Sequence, residues 1–256
     1  MPYAVLQKNL EPPSIDQLKR AFRSVPGLTP ADAHILGNDA FGILVKGFPL
    51  ERATAMQNAL ATEGVETEIV SDENLPPLPE ARFVHRVDCC PDALMIYDPL
   101  GRNFSVEWRH IMLIAAGRVC LTEFNRQRTE RQVWRSTGRG GYYETVVDYD
   151  TKEARNDRLV LELVLSRAVL RYNITADKSA HLLFQYLGER RQAELLDNFT
   201  LLVRDVIQFA PHAAINRGAY YFRARAGQSL HYPSKNAFYE EIVWLLWRLA
   251  NARQTA

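Results

Sequence analysis

Residues 14–25 read Ser14-Ile15-Asp16-Gln17-Leu18-Lys19-Arg20-Ala21-Phe22-Arg23-Ser24-Val25, and the N-terminal organisation can be built outward from them. Ser14 followed three residues later by Gln17 is a capping box, in which hydroxyl and carboxamide satisfy each other's backbone amides. Ile15, Leu18, Phe22 and Val25 recur at helical spacing, so a helix with one buried stripe is expected to run to about Val25. Upstream, Tyr3–Leu10 is apolar and extended, and Pro12-Pro13 stops it. Downstream, Thr29 as N-cap and Pro30 at the first position open a second helix, which Gly37-Asn38 is expected to end. Phe41–Lys46 reads as a strand. Pro49 opens a third helix with Leu50, Ala53, Met56 and Leu60 on one face, and Gly64 closes it. Val65-Glu66-Thr67-Glu68-Ile69 alternates with period two and predicts a sheet with one wet face. Strand, helix, helix, strand, helix, strand is the order of a small α+β sandwich.

The stretches Ala21-Phe22-Arg23-Ser24-Val25-Pro26-Gly27-Leu28, Ala31-Asp32-Ala33-His34-Ile35-Leu36 and Gly64-Val65-Glu66-Thr67-Glu68-Ile69 carry a family likeness. Residues 1–72 resemble the C-terminal domain of the bacterial ribosomal stalk protein, a topology shared with the Clp-protease adaptor. That resemblance implies a docking module. In the stalk family the first two helices present a basic and apolar face to translational GTPases, and Arg20 and Arg23 fall at basic positions of that face. Ala31 and His34 stand where the family carries lysines.

Residues 73–82 contain Pro76-Pro77-Leu78-Pro79, a stiff spacer that places a domain boundary. Beyond it, residues 83–256 begin with short β-like runs. Ala93–Tyr97 and Asn103–Glu107 flank the turn Asp98-Pro99-Leu100-Gly101. Ile111–Ala115 and Val119–Phe124 are separated by Ala116-Gly117-Arg118, and Val133–Arg135 and Tyr142–Val147 by Ser136–Gly141. Leu159–Ser166, Val169–Asn173 and Leu182–Tyr186 follow, and then a helix over Glu194–Phe209. Short antiparallel strands closed by a helix make a bent sheet or small barrel. With Val106-Glu107-Trp108-Arg109-His110-Ile111 ahead of an aliphatic strand, the segment resembles the pleckstrin-homology-like superfold and its GRAM members. The fold class expected is therefore α+β, a β-α-α-β-α-β sandwich followed by a pleckstrin-homology-like domain.

The last predicted helix, Lys235–Arg253, has Phe238, Ile242, Leu245 and Leu249 on one stripe and Trp244 and Trp247 elsewhere. A helix apolar on more than one side packs between surfaces, here between the domains or in a homodimer. Trp244 and Trp247 join Arg20 and Arg23 as candidate protein-binding residues.

With 47% hydrophobic and 24% charged residues in 256, the chain is neither disordered nor fibrous. No apolar run is long enough to span a bilayer, and Met1-Pro2-Tyr3-Ala4-Val5 does not begin a secretory signal. Three cysteines, two of them adjacent, fit a reduced cytoplasmic setting better than a disulfide framework. The net charge of +1 conceals −4 over residues 1–78, 0 over 79–150 and +5 over 151–256. No phosphate loop, dinucleotide fingerprint, nucleophile elbow or zinc helix occurs. His85, Cys89 and Cys90 lack the spacing of a metal site, and a Cys89 or Cys90 nucleophile would need a histidine base close in space. No cofactor or metal is expected.

Six arginines between Arg118 and Arg139, interleaved with Phe124, Trp134, Tyr142 and Tyr143, form the one stretch suited to an anionic ligand. Arg126, Arg128, Arg131 and Arg135 would carry that alternative. Alternating charges on exposed strands explain the same residues, and the near-neutral balance makes nucleic acid the weaker expectation. The leading expectation is a non-enzymatic adaptor whose partner is a protein, with an enzyme of unrecognised site as the last alternative.

Overall fold

The computed structural model describes the chain except residues 10, 12, 40, 99, 138–139, 167–169, 177–179, 225–228 and 255–256. Side chains at 38–39, 123–127, 136–137, 150, 152–153, 180–182 and 253–254 also lie outside the description. Strand β1 (Tyr3–Gln7) is the centre of a three-stranded antiparallel sheet between β2 (Ile43–Phe48) and β3 (Thr67–Ser71). The predicted capping box opens α1 (Ile15–Arg23): the Gln17 amide donates to Ser14 Oγ at 3.2 Å and the Ser14 amide to Gln17 Oε1 at 2.9 Å. Thr29 and Asp32 cap one another at the start of α2 (Pro30–Asp39). In α3 (Leu50–Thr62), Ala53, Met56 and Leu60 are buried, whereas Leu50 in the first turn is exposed. Gly64, at φ +76°, turns the chain into β3.

Two expectations for this module change. Gly37 does not end α2, which continues to Asp39. A Cβ on Gly37 would stand 2.9 Å from Ile15 Cγ1, so the glycine serves the close crossing of α1 and α2. The sheet also has no wet face. Val5 and Leu44 face Leu18, Phe22, Met56 and Leu60 on one side. Ala4, Leu6, Ile43 and Val70 face Val243 and Trp244 on the other.

After the proline segment, β4 (Glu80–Val84) already pairs within the second sheet, so residues 80–82 are strand and not spacer. A three-stranded meander follows: β5 (Arg86–Cys89), β6 (Ala93–Tyr97) and β7 (Asn103–Glu107). Its β6–β7 turn is held by Asp98, whose Oδ1 accepts the amides of Leu100 and Arg102; Pro99 lies outside the described residues. Next come β8 (Ile111–Thr137) and β9 (Gly140–Leu165), paired antiparallel along their length, and β10 (Leu170–Ala176). The sheet order is β11-β8-β9-β10-β4, with β10–β4 parallel. A 3-10 run over Ala180–Arg190 leads into α4 (Leu195–Phe209). The short β11 (Ala214–Ile215), α5 (Arg217–Ala224), β12 (His231–Tyr232) and α6 (Lys235–Gln254) complete the chain, and β11 and β12 run parallel to β8. No helix among the described residues is long and apolar enough to cross a membrane.

The short strands expected at 111–115, 119–124, 133–135, 142–147 and 159–166 are pieces of one hairpin, β8–β9. Gly117 suggested a turn, yet it lies in mid-strand: a Cβ there would stand 2.4 Å from the Tyr232 ring, so the glycine admits that ring. Leu182–Tyr186, expected as a strand, falls in the 3-10 run, where Leu183, Phe184 and Leu187 turn inward together. The start of the run expected from Val169 lies outside the described residues.

One face of the β8–β9 root carries Ile114, Ala116, Leu161 and Leu163 into a core shared with the meander and α4. There Trp108 stacks on Phe209 with centroids 5.0 Å apart and donates its indole N–H to Cys90 O at 2.9 Å. The opposite face, with Leu113, Ala115, Val119, Val160 and Val164, receives Phe238, Ile242 and Leu246 of α6. The other side of α6 lies on the first sheet. Trp244 Nε1 donates to Gln7 O at 2.7 Å, Arg248 meets Glu68 at 3.4 Å, and Lys46 meets Glu240 at 3.5 Å. Helix α6 is thus a core element common to both sheets, and its apolar sides are filled from within the chain. Of the two packings that its pattern allowed, the one between the domains is the one the structure shows.

Gly42 makes the indole contact possible. Its φ is +88°, and a Cβ would lie 2.5 Å from Trp244 Cγ. Gly42→Ala is expected to destabilise the protein through both strain and overlap. Trp244→Ala should cost about 3–5 kcal/mol in urea unfolding, the range for deleting a buried aromatic. A loss below about 1 kcal/mol would show that α6 does not support the first sheet in solution.

Candidate functional site

Beyond Leu121, which packs at the edge of the α6 core, β8 and β9 leave the body as a two-stranded ribbon. From Thr122 to Thr137 it reaches about 50 Å at roughly 3.3 Å per residue. Because side chains alternate, the register fixes which residues share a face. Trp134 on β8 stands opposite Tyr143 on β9, and Arg128 opposite Tyr149. These four lie on one face with Glu130 and Val147. The second face carries Arg131, Val133 and Arg135 with Tyr142, Glu144, Val146 and Asp148.

The two faces differ in chemistry. On the second, cross-strand ion pairs join Arg131 to Asp148 at 2.9 Å and Arg135 to Glu144 at 2.8 Å. On the first, Trp134 and Tyr143 meet edge to face with centroids 4.9 Å apart. The indole lies over Gly141, where a Cβ would stand 2.1 Å from it. Of the stretch Ser136–Gly141 that separates two of the expected strand runs, Gly140 and Gly141 lie in β9, and Gly141 is the platform for Trp134; Gly138 and Arg139 lie outside the described residues. Trp134, Tyr143 and Tyr149 are 53%, 66% and 55% exposed, although large aromatic side chains ordinarily cover much of their surface.

Of the arginines proposed for an anion, Arg128 pairs with Glu130 at 2.5 Å, and Arg131 and Arg135 hold the carboxylates just named. The side chain of Arg126 lies outside the described residues. On the first module, Arg20 and Arg23 sit on an exposed flank of α1, with Arg20 Nε 2.7 Å from Glu63 Oε2 at the end of α3. Trp244 is 6% exposed and covered by the first sheet, while Trp247 is half-buried at the margin of the same cluster. The structure does not bring these four residues together on one surface.

A buried polar clamp, which sequence reasoning missed, holds the root of the ribbon. Asn216 Oδ1 accepts the amides of Ala116 at 2.9 Å and Ala219 at 2.8 Å. Its Nδ2 donates to Ala116 O and to the Tyr232 hydroxyl. Tyr232 in turn donates to Glu241 Oε2, and the Arg217 amide donates to Glu241 Oε1. Burial pushes the Glu241 carboxyl above its ordinary range, opposed by Arg217. Across the sheet, Glu162 Oε1 accepts from Arg171, Asn173 and Tyr239, and burial raises this carboxyl too, against the pull of Arg171. Both acids link strands to α6. Asn216 is an N-cap residue type ahead of α5, and that is the signal that could have found it; its carbonyl also accepts the Tyr220 amide.

The remaining chemical candidates are separate. His85 is exposed between β4 and β5, and Cys89 faces Tyr186 and Asp205, the latter held by Arg190. Burial pushes the Cys89 thiol up to about 12, which leaves almost no thiolate at neutral pH. Among the described residues, no three His, Cys, Asp or Glu side chains come together as a metal site. A groove of about 410 Å³ between Pro76-Pro77-Leu78 and α6 is lined by Lys46, Tyr239 and Glu240.

No protein-family model, curated protein or solved structure matches the chain.

Asn216→Ala would orphan the Ala116 amide and carbonyl and should lower stability by at least about 2 kcal/mol in denaturant unfolding. A neutral result would remove the clamp from the account. Cys89 should resist iodoacetamide in the native protein at pH 8 and react fully in urea, as read by peptide mass spectrometry. Preferential native alkylation of Cys89 would contradict its burial.

Proposed function

We propose that the chain is a non-enzymatic cytoplasmic docking protein, in which two joined domains form a rigid base and the β8–β9 ribbon is the element that engages another protein. The observation that carries this reading is the exposed aromatic face of Trp134, Tyr143 and Tyr149 on a projecting ribbon. Trp, Tyr and Arg dominate binding hot spots, and isolated hairpins are marginal in water unless something covers them. The stalk-like order of the first module, with Arg20 and Arg23 exposed, agrees with a docking protein. So does the meander–sheet–helix order of the second, which we read as pleckstrin-homology-like.

A second reading has one observation in its favour. Between Thr122 and Thr137, β8 carries four arginines against two glutamates, a basic strand suited to phosphate. An anionic ligand would have to displace the carboxylates held by Arg128, Arg131 and Arg135.

Affinity capture from cell lysate tests the first reading with three baits. Wild type should retain a partner that Trp134→Ala/Tyr143→Ala loses, while Arg131→Ala, on the other face, keeps it. Equal capture by all three would refute the ribbon as the docking element. Binding to nucleic acid that falls steeply as salt rises would favour the second reading instead.

A further inference from the structure

We draw no further inference here: the strongest candidate, the exposed Trp134–Tyr143–Tyr149 face of the β8–β9 ribbon, belongs to the docking element already described, and nothing in the structure shows what covers it.

Discussion

Helix α6 is apolar on two sides because it has two sheets to cover. Phe238, Ile242 and Leu246 fill the face of the β8–β9 root, and Val243 and Trp244 fill the face of β1, β2 and β3. Neither sheet could leave those faces in water at a tolerable cost, given about 25 cal/mol for each square ångström of apolar surface exposed. The last twenty-odd residues of the chain thus complete the core begun by the first seven. The proline segment consequently joins two units already packed on a common helix, and it does not tether two free ones.

The ribbon depends on this arrangement. A two-stranded hairpin has little to hold it beyond its ladder and cross-strand pairs. Here its root is enclosed on both faces, by the α4 core and by α6, and Asn216, Tyr232 and Glu241 fix the Ala116 peptide at the base. Outside the body, the Trp134–Tyr143 pair and the ion pairs at Arg131 and Arg135 stiffen the strands in turn.

The first module was legible residue by residue, because caps, glycines and the 3.6 period are local signals: Ser14, Gln17, Thr29 and Gly64 act as their types suggest. The errors came where a residue answers to something distant in sequence. Gly37 and Gly117 look like breakers, yet each is small because another element presses on it, Ile15 in one case and Tyr232 in the other. The alternation at Val65–Ile69 suggested a wet face because nothing local announces α6, a helix that begins at Lys235. The ribbon was read as fragments for a related reason: residues 125–132 and 148–158 are almost all charged or polar, and only the pairing of the two strands joins the runs on either side of them. Its arginines and aromatics were visible, whereas their division between two faces needed the register.

Native-state hydrogen exchange in low concentrations of urea tests most directly whether α6 makes one body of the two sheets. The most protected amides of β1, β3, α6 and the β9–β10 root should converge on a single opening free energy and urea dependence, with ribbon amides beyond Leu121 exchanging through smaller openings. If β1 and β3 instead open as a separate, less stable unit while α6 keeps its protection on the second sheet, the helix does not join the two cores and the account fails.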